Sequence, residues 1–580
     1  MRLSLEDTFK LEGSYHDKIM SPEITIENFK KNAASAGIDI LKNTRRIDNN
    51  RLGIPVYFSL CGHDARRITG TRKQMGKGVS PALAEASAVM ELAERFSIYS
   101  FMNSSKNFIH GTYDTVKQNA LPFSLIAQSV NEPEDSDMAL LETIFSTLPF
   151  KWTTGYNVSR NQEMLVPMDW FFMINAFNGS SAGNCNEEAI CQGACEIVER
   201  HVSALIDGKR QAPPFIDPLS ITHPVTKALV DKFTQAGIKL FINDFTLDMG
   251  IPSIGVLAYD PYTFPHTSEI VWTAGTGTSP DAALNRALTE TAQLGGDFNT
   301  GSNYMASGLS KFKTLEEAGF IINAEKNNTT FSRLGSMPDI STPNIKEEIS
   351  AITRALTKKS MEMLTIQTTH PDLSMPAFYT MIPGTAFRER AENSSVAMFA
   401  AKHICETLPP PRALEELEKI DQILPDRYYI KFYLGMCRLN MEEPEKALTC
   451  LETAMDLDPS DQDMASICSY AGVCLKETGA YEKALEVLEK GIAADRDRED
   501  IYNLMGFCCF MLKKHKESIA CFEKVLTLNP GSAIDHASIA SNYRELGNSE
   551  KAVQYYETAL DLDPGLDFAR ENLEKLKTKS

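Results

Sequence analysis

Two kinds of hydrophobic pattern divide the chain near residue 408. Before that point, short runs rich in β-branched and aromatic residues alternate with segments of helical periodicity. The runs that predict strands are IPVYFSL, MLVPMDWFF, KLFINDFT, SIGVLAYD and AFYTMI. The three longest helical segments are PALAEASAVMELAERFSIYSF, EEAICQGACEIVERHVSAL and PDAALNRALTETAQL. Residues 1–408 are therefore predicted to form one mixed α+β domain.

The pattern after residue 427 repeats itself. Small residues recur in two columns and a bulky residue in a third, and successive copies are 37, 34 and 34 residues apart. The columns are Gly435, Gly472, Gly506 and Ala540; Ala447, Ala484, Ser518 and Ala552; and Leu451, Leu488, Phe522 and Tyr556. This repeat resembles the tetratricopeptide repeat (TPR), a pair of antiparallel helices that is stable only when stacked. It predicts an all-α TPR superhelix.

The repeats also set the expected organisation of the C-terminal part. We expect four hairpins over residues 427–566, a capping helix and tail over 567–580, and a linker and lead-in helix over 409–426. The three prolines at 409–411 suggest that this linker is stiff. A repeat array of this kind is a binding scaffold without chemistry of its own. Binding of a protein or peptide client and formation of a homodimer are equally compatible with it.

Composition excludes some classes of partner. The 580 residues carry a formal net charge of -19 and are 43% hydrophobic, as in ordinary soluble proteins. An acidic chain is not attracted to nucleic-acid phosphates or anionic lipid, and no segment is apolar enough to span a bilayer. We therefore expect a cytoplasmic protein with no nucleic-acid or membrane partner. The twelve cysteines lack metal-ligand spacing and are expected to be reduced core residues.

Candidate chemistry lies on two of the predicted helices. Glu91 and Glu94 are three residues apart and precede Arg95, and the same spacing recurs in Glu196, Glu199 and Arg200. Carboxylates at this spacing share one helix face, and burying them without a cation is unfavourable. Four such carboxylates from two helices suit Mg²⁺ that holds nucleotide phosphates. Solvated helix faces with incidental Glu and Arg neighbours remain the alternative.

Three separated runs carry a further resemblance. GKGVSPALAEASAVMELAERFS, SAGNCNEEAICQGACEIVER and GTGTSPDAALNRALTETAQ resemble, in order and spacing, the nucleotide-binding blocks of YcaO proteins. The resemblance implies ATP and Mg²⁺ as cofactors and the four glutamates as magnesium ligands. It also implies nucleotide contacts from Lys18, Thr25, Ser80, Asn184, Glu188, Arg200, Arg286, Glu290 and Gln293. Arg286 would also be catalytic, and Ser80 is equally suited to capping a helix.

The same resemblance implies a reaction. YcaO enzymes use ATP to phosphorylate the oxygen of a backbone amide, so that a nucleophile can replace it. No side chain stands out as a covalent nucleophile, and His201 is expected to serve in helix packing. The chain ends in KLKTKS rather than PxPxP. We therefore expect a stand-alone YcaO protein, similar to those implicated in ribosomal protein β-methylthiolation or thioamidation, with a methylthiotransferase or sulfur-delivery partner. The alternative is a TPR adaptor whose YcaO domain binds nucleotide without catalysis.

Overall fold

The computed structural model describes residues 3–12, 17–300, 304, 308–323, 331–388 and 394–578. The chain divides into two compact units, Met1–Val396 and Ala397–Ser580. The expected boundary at residue 408 lies at the far end of a helix that spans Val396–Thr407. No helix in the described ranges is both long and apolar enough to cross a lipid bilayer.

The first unit combines strands and helices, as the mixed pattern predicts. Its strands are β1 (Leu41–Arg46), β2 (Val56–Cys61), β3 (Lys73–Lys77), β4 (Ile109–Thr112), β5 (Pro149–Asn157), β6 (Gln162–Pro167), β7 (Ser180–Ala182), β8 (Phe215–Ile216), β9 (Lys239–Asp244), β10 (Ser253–Tyr259), β11 (Val271–Thr276), β12 (Phe331–Ser332), β13 (Leu364–Gln367) and β14 (Ala377–Met381). Its helices are α1 (Pro22–Ala36), α2 (His63–Thr69), α3 (Pro81–Asn103), α4 (Tyr113–Val116), α5 (Phe123–Gln128), α6 (Met138–Ser146), α7 (Met168–Asn175), α8 (Asn186–Lys209), α9 (Pro224–Gln235), α10 (Pro280–Gly295), α11 (Gly319–Ile322) and α12 (Ile345–Thr357).

The described strands form three sheets. β1, β2 and β3 form an antiparallel sheet in that order. The second sheet has the order β11-β10-β9-β8-β12, in which only β12 is parallel to its neighbour. The third has the order β4-β5-β13-β14-β7, and β6 pairs with β5.

One predicted strand is wrong in its second half. The run MLVPMDWFF is a strand only as far as Pro167, and helix α7 begins at Met168. Met168, Phe171 and Ile174 are all buried, which is the three-residue spacing of a helix rather than the alternation of a strand. The aromatic residues that suggest β-structure in the sequence therefore face the core from a helix.

Each of the three long predicted helices lies on a different sheet, with a small residue at the contact. A β-carbon on Gly76 of β3 would lie 2.0 Å from the backbone nitrogen of Ala88 in α3. A β-carbon on Gly275 of β11 would lie 2.3 Å from the Ala283 carbonyl oxygen in α10. In α8 the small residue is on the helix itself, since Gly193 abuts the strands at β7 and β14. These contacts fix the three helices firmly against three separate supports.

The second unit consists of helices. They are α13 (Val396–Thr407), α14 (Pro410–Ile423), α15 (Tyr428–Asn440), α16 (Pro444–Met455), α17 (Asp461–Glu477), α18 (Tyr481–Ala494), α19 (Glu499–Met511), α20 (His515–Leu528), α21 (Ala533–Glu545), α22 (Ser549–Leu562) and α23 (Asp567–Lys577). The hairpins run from α15 to α22, and α23 follows them. Pro410 and Pro411 occupy the first turn of α14, where a missing N–H leaves no hydrogen bond unmade.

The first and third sequence columns meet inside each hairpin. A β-carbon on Gly435 would lie 2.9 Å from the Leu451 side chain, and one on Gly472 would lie 2.5 Å from Leu488. In the last hairpin, the larger Tyr556 is paired with Ala540, and both are fully buried. The bulky third-column residue therefore fills the space that the small residue leaves between the two helices of its own hairpin.

Replacing Gly506 by Leu is expected to destabilise the third hairpin. Even the added β-carbon would lie 2.7 Å from the Phe522 ring. Overpacking of this kind lowers the free energy of unfolding by about 1–3 kcal/mol. Gly531→Leu is the matched control, because the nearest atom to its β-carbon is Asn529 Oδ1 at 3.8 Å. Thermal unfolding monitored by circular dichroism measures both, and an equal loss in the two variants would contradict the packing argument.

Candidate functional site

Helices α3, α8 and α10 begin in the same way. Their N-caps are Ser80, Cys185 and Ser279, and each cap side chain accepts a hydrogen bond from the backbone N–H three residues later. Ser80 therefore has a structural role at the start of α3, which was one of its two expected roles. Aligning the three segments on their caps brings further residues into register.

The residue two before each cap is glycine. β-carbons on Gly78, Gly183 and Gly277 would lie 2.6, 2.7 and 3.0 Å from the backbone nitrogen of the residue four after the cap. The chain thus passes from strand to helix through a turn that leaves no room for a side chain. Because the turn is the same, residues at equal distances from the cap occupy equivalent places on the three helices.

The candidate carboxylates fall at such equivalent places. Eleven residues after the cap stand Glu91, Glu196 and Glu290, and fourteen residues after it stand Glu94, Glu199 and Gln293. The next position holds Arg95 in α3, Arg200 in α8 and Leu294 in α10. The third helix is therefore a variant of the two helices that carry ExxER.

In α3, the arginine holds both carboxylates. Arg95 donates from Nε at 3.0 Å and Nη2 at 2.8 Å to Oε1 of Glu91, and its Nη1 lies 3.5 Å from Glu94 Oε1. The guanidinium also stacks over the Phe177 ring, 4.6 Å from its centroid. Arg95 Nη1 is buried and makes no hydrogen bond within the described ranges. Arg95 Nη1 therefore interacts with Glu94 as an ion pair without a hydrogen bond.

In α8, the same arrangement is looser. Arg200 lies 3.9 Å from Glu196 Oε1 and 3.7 Å from Glu199 Oε1. Glu199 is buried and also accepts a hydrogen bond of 3.1 Å from the backbone N–H of Thr276, the last residue of β11. Glu199 thereby ties the middle of α8 to the end of the strand that precedes α10.

In α10, the polar residues recur at intervals of four and three residues. Arg286, Glu290 and Gln293 therefore share one face of the helix. Arg286 Nη1 donates to Gln192 Oε1 of α8 at 2.6 Å, while its buried Nε has no hydrogen-bond partner among the described residues. Glu290 is ion-paired with Lys77, which lies at the end of β3.

We call the following nine side chains the charged cluster. They are Lys77, Glu91, Glu94, Arg95, Glu196, Glu199, Arg200, Arg286 and Glu290. Electrostatic interactions connect them continuously from α3 through α8 to α10. Five carboxylates and four cations interact here, of which Lys77 lies on β3 and the other eight lie on α3, α8 and α10.

Burial changes the protonation of these carboxylates. Burial, and then the neighbouring Glu91 carboxylate, raise the pKa of Glu94 well above its usual range. Burial raises the pKa of Glu196 to about 7, although Arg200 acts in the opposite direction. The pKa of Glu290 is lowered instead, since Lys77, Arg200 and Arg286 outweigh the effect of its burial. Burial therefore disfavours the charged forms of Glu94 and Glu196, whereas the cations around Glu290 favour its charged form.

A second polar group lies at the start of α8. The Asn184 backbone N–H and Nδ2 each donate to Glu188 Oε2 at 2.9 Å, and the backbone N–H of Ile19 donates to Oε1 at 2.6 Å. Thr25 Oγ1 donates to Asn184 Oδ1 at 2.9 Å, and Lys18 Nζ lies 3.9 Å from Glu188 Oε2. The four predicted residues Lys18, Thr25, Asn184 and Glu188 are thus brought together.

The two groups share one face of α8. Glu188, Gln192, Glu196 and Glu199 follow at intervals of four, four and three residues, so they line one stripe of the helix. Glu188 and Glu196 are about 12 Å apart along the helix axis, at the rise of an α-helix. The predicted nucleotide contacts and the predicted metal ligands therefore belong to one elongated polar stripe.

Mg²⁺ and a nucleotide fit the chemistry of these residues. Carboxylate oxygens are the ligands that Mg²⁺ prefers, and three of the four predicted ligands, Glu94, Glu196 and Glu199, have raised pKa values that a cation would lower. The buried Nε of Arg286, which makes no hydrogen bond among the described residues, suits a phosphate oxygen. Across the described ranges, no three carboxylate, cysteine or histidine side chains are yet gathered into a metal-binding group. The role of the four glutamates as ligands therefore stays a prediction.

Models of known protein families match both units of the chain. Residues 75–386, more than half of the chain, match the family of YcaO cyclodehydratases, which is described as ATP- and Mg²⁺-binding. The chain belongs to the YcaO family. Its cofactors are accordingly ATP and Mg²⁺, as predicted. Residues 430–461 and 497–564 match tetratricopeptide repeats, which confirms the nature of the second unit.

Individual relatives are distant. An uncharacterized protein of Methanothermobacter thermautotrophicus is 24% identical over 387 residues, which cover 64% of this chain and 95% of the relative. The ribosomal protein S12 methylthiotransferase accessory factor YcaO of Escherichia coli K12 is 26% identical over 241 residues, 38% of this chain and 40% of the relative. A solved heterocyclase in complex with substrate and cofactor superposes with a TM-score of 0.54 at 21% identity, covering 67% of this chain and 55% of the other. At this identity the superposition establishes the fold alone.

Sequence reasoning missed Lys77, Gln192 and the kinship of the three helix starts. The kinship of the helix starts could have been found by aligning the GKGVS, SAGNC and GTGTS segments, each of which ends in its cap residue. That alignment does not mark Lys77 or Gln192, because their partners Glu290 and Arg286 are far away in the sequence. His201, in contrast, lies as expected in helix packing. It is buried, its Nδ1 accepts the Ala386 backbone N–H at 2.9 Å, and burial lowers its pKa to about 4.

Glu196→Gln is expected to stabilise the protein without nucleotide at high pH. Because the folded-state pKa of about 7 exceeds the ordinary value of 4.5, the charged side chain disfavours folding increasingly as pH rises between those values. The amide mimics the neutral acid. The variant should therefore gain up to about 3 kcal/mol over wild type at pH 8, and little at pH 4.5.

Calorimetric melting in EDTA at a series of pH values measures this difference. EDTA is needed because a bound cation would stabilise the charged glutamate and reverse the sign. If Glu196→Gln melts at a lower temperature than wild type at pH 8, the charged form of Glu196 does not destabilise the folded protein, and the prediction is wrong.

Proposed function

We propose that this protein uses ATP and Mg²⁺ to activate a backbone amide of a peptide or protein by phosphorylating its oxygen. The observation that carries the proposal is the polar stripe of α8. It joins the Asn184 and Glu188 group to Glu196 and Glu199, whose pKa values are raised, and its Gln192 contacts Arg286, whose buried Nε makes no hydrogen bond among the described residues. Membership of a cyclodehydratase family supports the reaction type.

The phosphoryl group supplied by ATP would turn the amide oxygen, a poor leaving group, into phosphate. In our proposal, Glu91, Glu94, Glu196 and Glu199 hold Mg²⁺. Arg286 contacts the phosphates, Lys18, Thr25, Asn184 and Glu188 hold the rest of the nucleotide, and Arg200, Glu290 and Gln293 lie beside it. The chain's contribution is then to position the reactants and to balance charge on the transferring group. His201 supplies no base, because both its burial and its hydrogen bond keep it in the core.

The second unit would present the client. TPR repeats are protein-interaction scaffolds, so a protein or peptide client fits better than a small molecule. The Escherichia coli relative is named an accessory factor of a ribosomal protein methylthiotransferase. We extend this to a proposal that the client is a protein of the cytoplasm and that a sulfur-delivery enzyme acts on it together with this chain.

Arg286→Ala is expected to weaken binding of Mg²⁺–ATP about 10- to 100-fold. This is the range for loss of a hydrogen bond to a charged group. Isothermal titration calorimetry measures the dissociation constant, and Arg72→Ala is a matched control, because Arg72 is exposed in the loop before β3. Wild-type protein that binds no Mg²⁺–ATP would contradict the proposed function. Equal affinities of the Arg286→Ala and Arg72→Ala variants for Mg²⁺–ATP would contradict the role of Arg286.

Oxygen labelling tests the reaction itself. If the leaving oxygen comes from an amide, phosphate released in ¹⁸O-enriched water upon addition of a protein extract carries no water oxygen. Simple hydrolysis of ATP would place a water oxygen in every phosphate. Mass spectrometry of the phosphate distinguishes the two, and Arg286→Ala protein serves as the inactive control. If all the phosphate released on addition of the extract carries ¹⁸O from water, the result favours the non-catalytic adaptor instead.

A further inference from the structure

The segment that forms the first sheet is basic, although the protein as a whole is acidic. Residues 42–77 contain nine Lys and Arg residues but only two Asp and Glu residues, whereas the chain carries a net charge of -19. Arg45 on β1 and Lys73 on β3 are both exposed, and neither forms an ion pair with a carboxylate among the residues that the structure describes. An exposed positive surface of this kind attracts anionic groups.

Helix α3 covers one face of this sheet. Thr44 donates to Glu85 of α3 at 2.7 Å, and Ser59 donates to the carbonyl oxygen of Ala88 at 2.8 Å, so both side chains point toward the helix. Successive residues of a strand point to opposite faces. The residues that point away from α3 form what we call the outer face, namely Asn43, Arg45, Phe58, Leu60, Lys73 and Met75.

The outer face has an apolar centre between two cations. Phe58, Leu60 and Met75 are all partly exposed. Phe58 lies opposite Arg45 on one side and Met75 on the other, while Leu60 lies opposite Lys73. Strands are about 4.8 Å apart and these two rows are two residues apart, so the Cα atoms of Arg45 and Lys73 are separated by about 12 Å.

An acidic polypeptide fits this face better than a nucleic acid does. The Lys73 ammonium lies over the Phe58 ring, 4.0 Å from its centroid, so a base cannot stack on that side of the ring. The acidic chain also repels a long polyanion. In an extended peptide, every second side chain points to the same face, and residues four positions apart are separated by about 13 Å. Two carboxylates at that spacing, with an apolar residue midway, match the two cations and the apolar centre.

We propose that the outer face binds an extended acidic segment of the client, in which two Asp or Glu residues four positions apart pair with Arg45 and Lys73. An apolar residue midway between them contacts Phe58 and Leu60. This rests on the proposed function, because it specifies the client of that reaction. Four residues after Lys73, on the same side of β3, Lys77 pairs with Glu290 of the charged cluster. The outer face therefore leads along β3 to the charged cluster, about 13 Å away.

Fluorescence anisotropy of labelled peptides measures this binding on the full chain. The probe is a short fluorescein-labelled peptide that contains Glu-Ser-Leu-Ser-Glu. One comparison peptide carries Lys in place of both Glu residues, and another carries Ser in place of Leu. Wild type should bind the probe at least about tenfold more tightly than the Lys peptide, with the Ser peptide between them, and high salt should weaken binding of the probe.

Charge reversal locates the binding surface. Arg45→Glu combined with Lys73→Glu should weaken binding of the probe about tenfold or more, because like charges then face each other. Lys106→Glu combined with Lys227→Glu is the matched control, since both lysines are exposed elsewhere on the first unit and the change in net charge is the same. The control should bind the probe within twofold of wild type, and thermal melting shows whether both double variants are folded.

Three results would overturn the inference. If wild type binds the Lys peptide as tightly as the probe, or if the two double variants lose affinity equally, the outer face does not recognise acidic residues. If a short single-stranded RNA binds more tightly than the probe and loses its affinity in Arg45→Glu with Lys73→Glu, the outer face is a nucleic-acid site instead. Titration with Mg²⁺–ATP tests the proposed function separately. Wild type that binds Mg²⁺–ATP but not the probe would leave that function standing without the outer face.

Discussion

Carboxylates buried between helices must be matched by cations, and the first unit depends on this constraint. Arginines on the same helices give partial compensation for Glu91, Glu94, Glu196 and Glu199, at distances between 2.8 and 3.9 Å. This compensation is incomplete, because burial still raises the pKa values of Glu94, Glu196 and Glu199. A core with incompletely paired carboxylates is less stable than an apolar core of the same shape. The presence of these carboxylates is understandable if they bind a cation.

The constraint also explains why the supports of the site are so rigid. Each of the three helices is pressed on its strand through a small residue and begins at a turn without room for a side chain. Such contacts cannot slide, because any shift would create overlaps with backbone atoms. Like charges can then be held close together without the helices moving apart. Preorganisation of this kind is what electrostatic stabilisation of a transferring phosphoryl group requires.

Much of this could be predicted from the sequence, and the failures have physical causes. The long helices, most of the strands and the repeat columns follow from hydrophobic spacing, which burial enforces over many residues. The end of β6 could not be predicted, because Met168, Trp170 and Phe171 suit a strand or a buried helix equally. In the site, ExxER was visible because it occurs twice. Lys77 was not, because its partner Glu290 is 213 residues away and nothing local marks the pair.

The packing inside each TPR hairpin limits how the second unit can be rearranged. Gly472 and Leu488 fit each other, as do Ala540 and Tyr556, and Tyr556 also shares a hydrogen bond of 2.9 Å with Ser541. A helix moved alone into another repeat would therefore meet a partner of the wrong volume. The exchangeable module of this array is the whole hairpin, so chimeric arrays should be joined in the loops that connect hairpins and never in the turns within them.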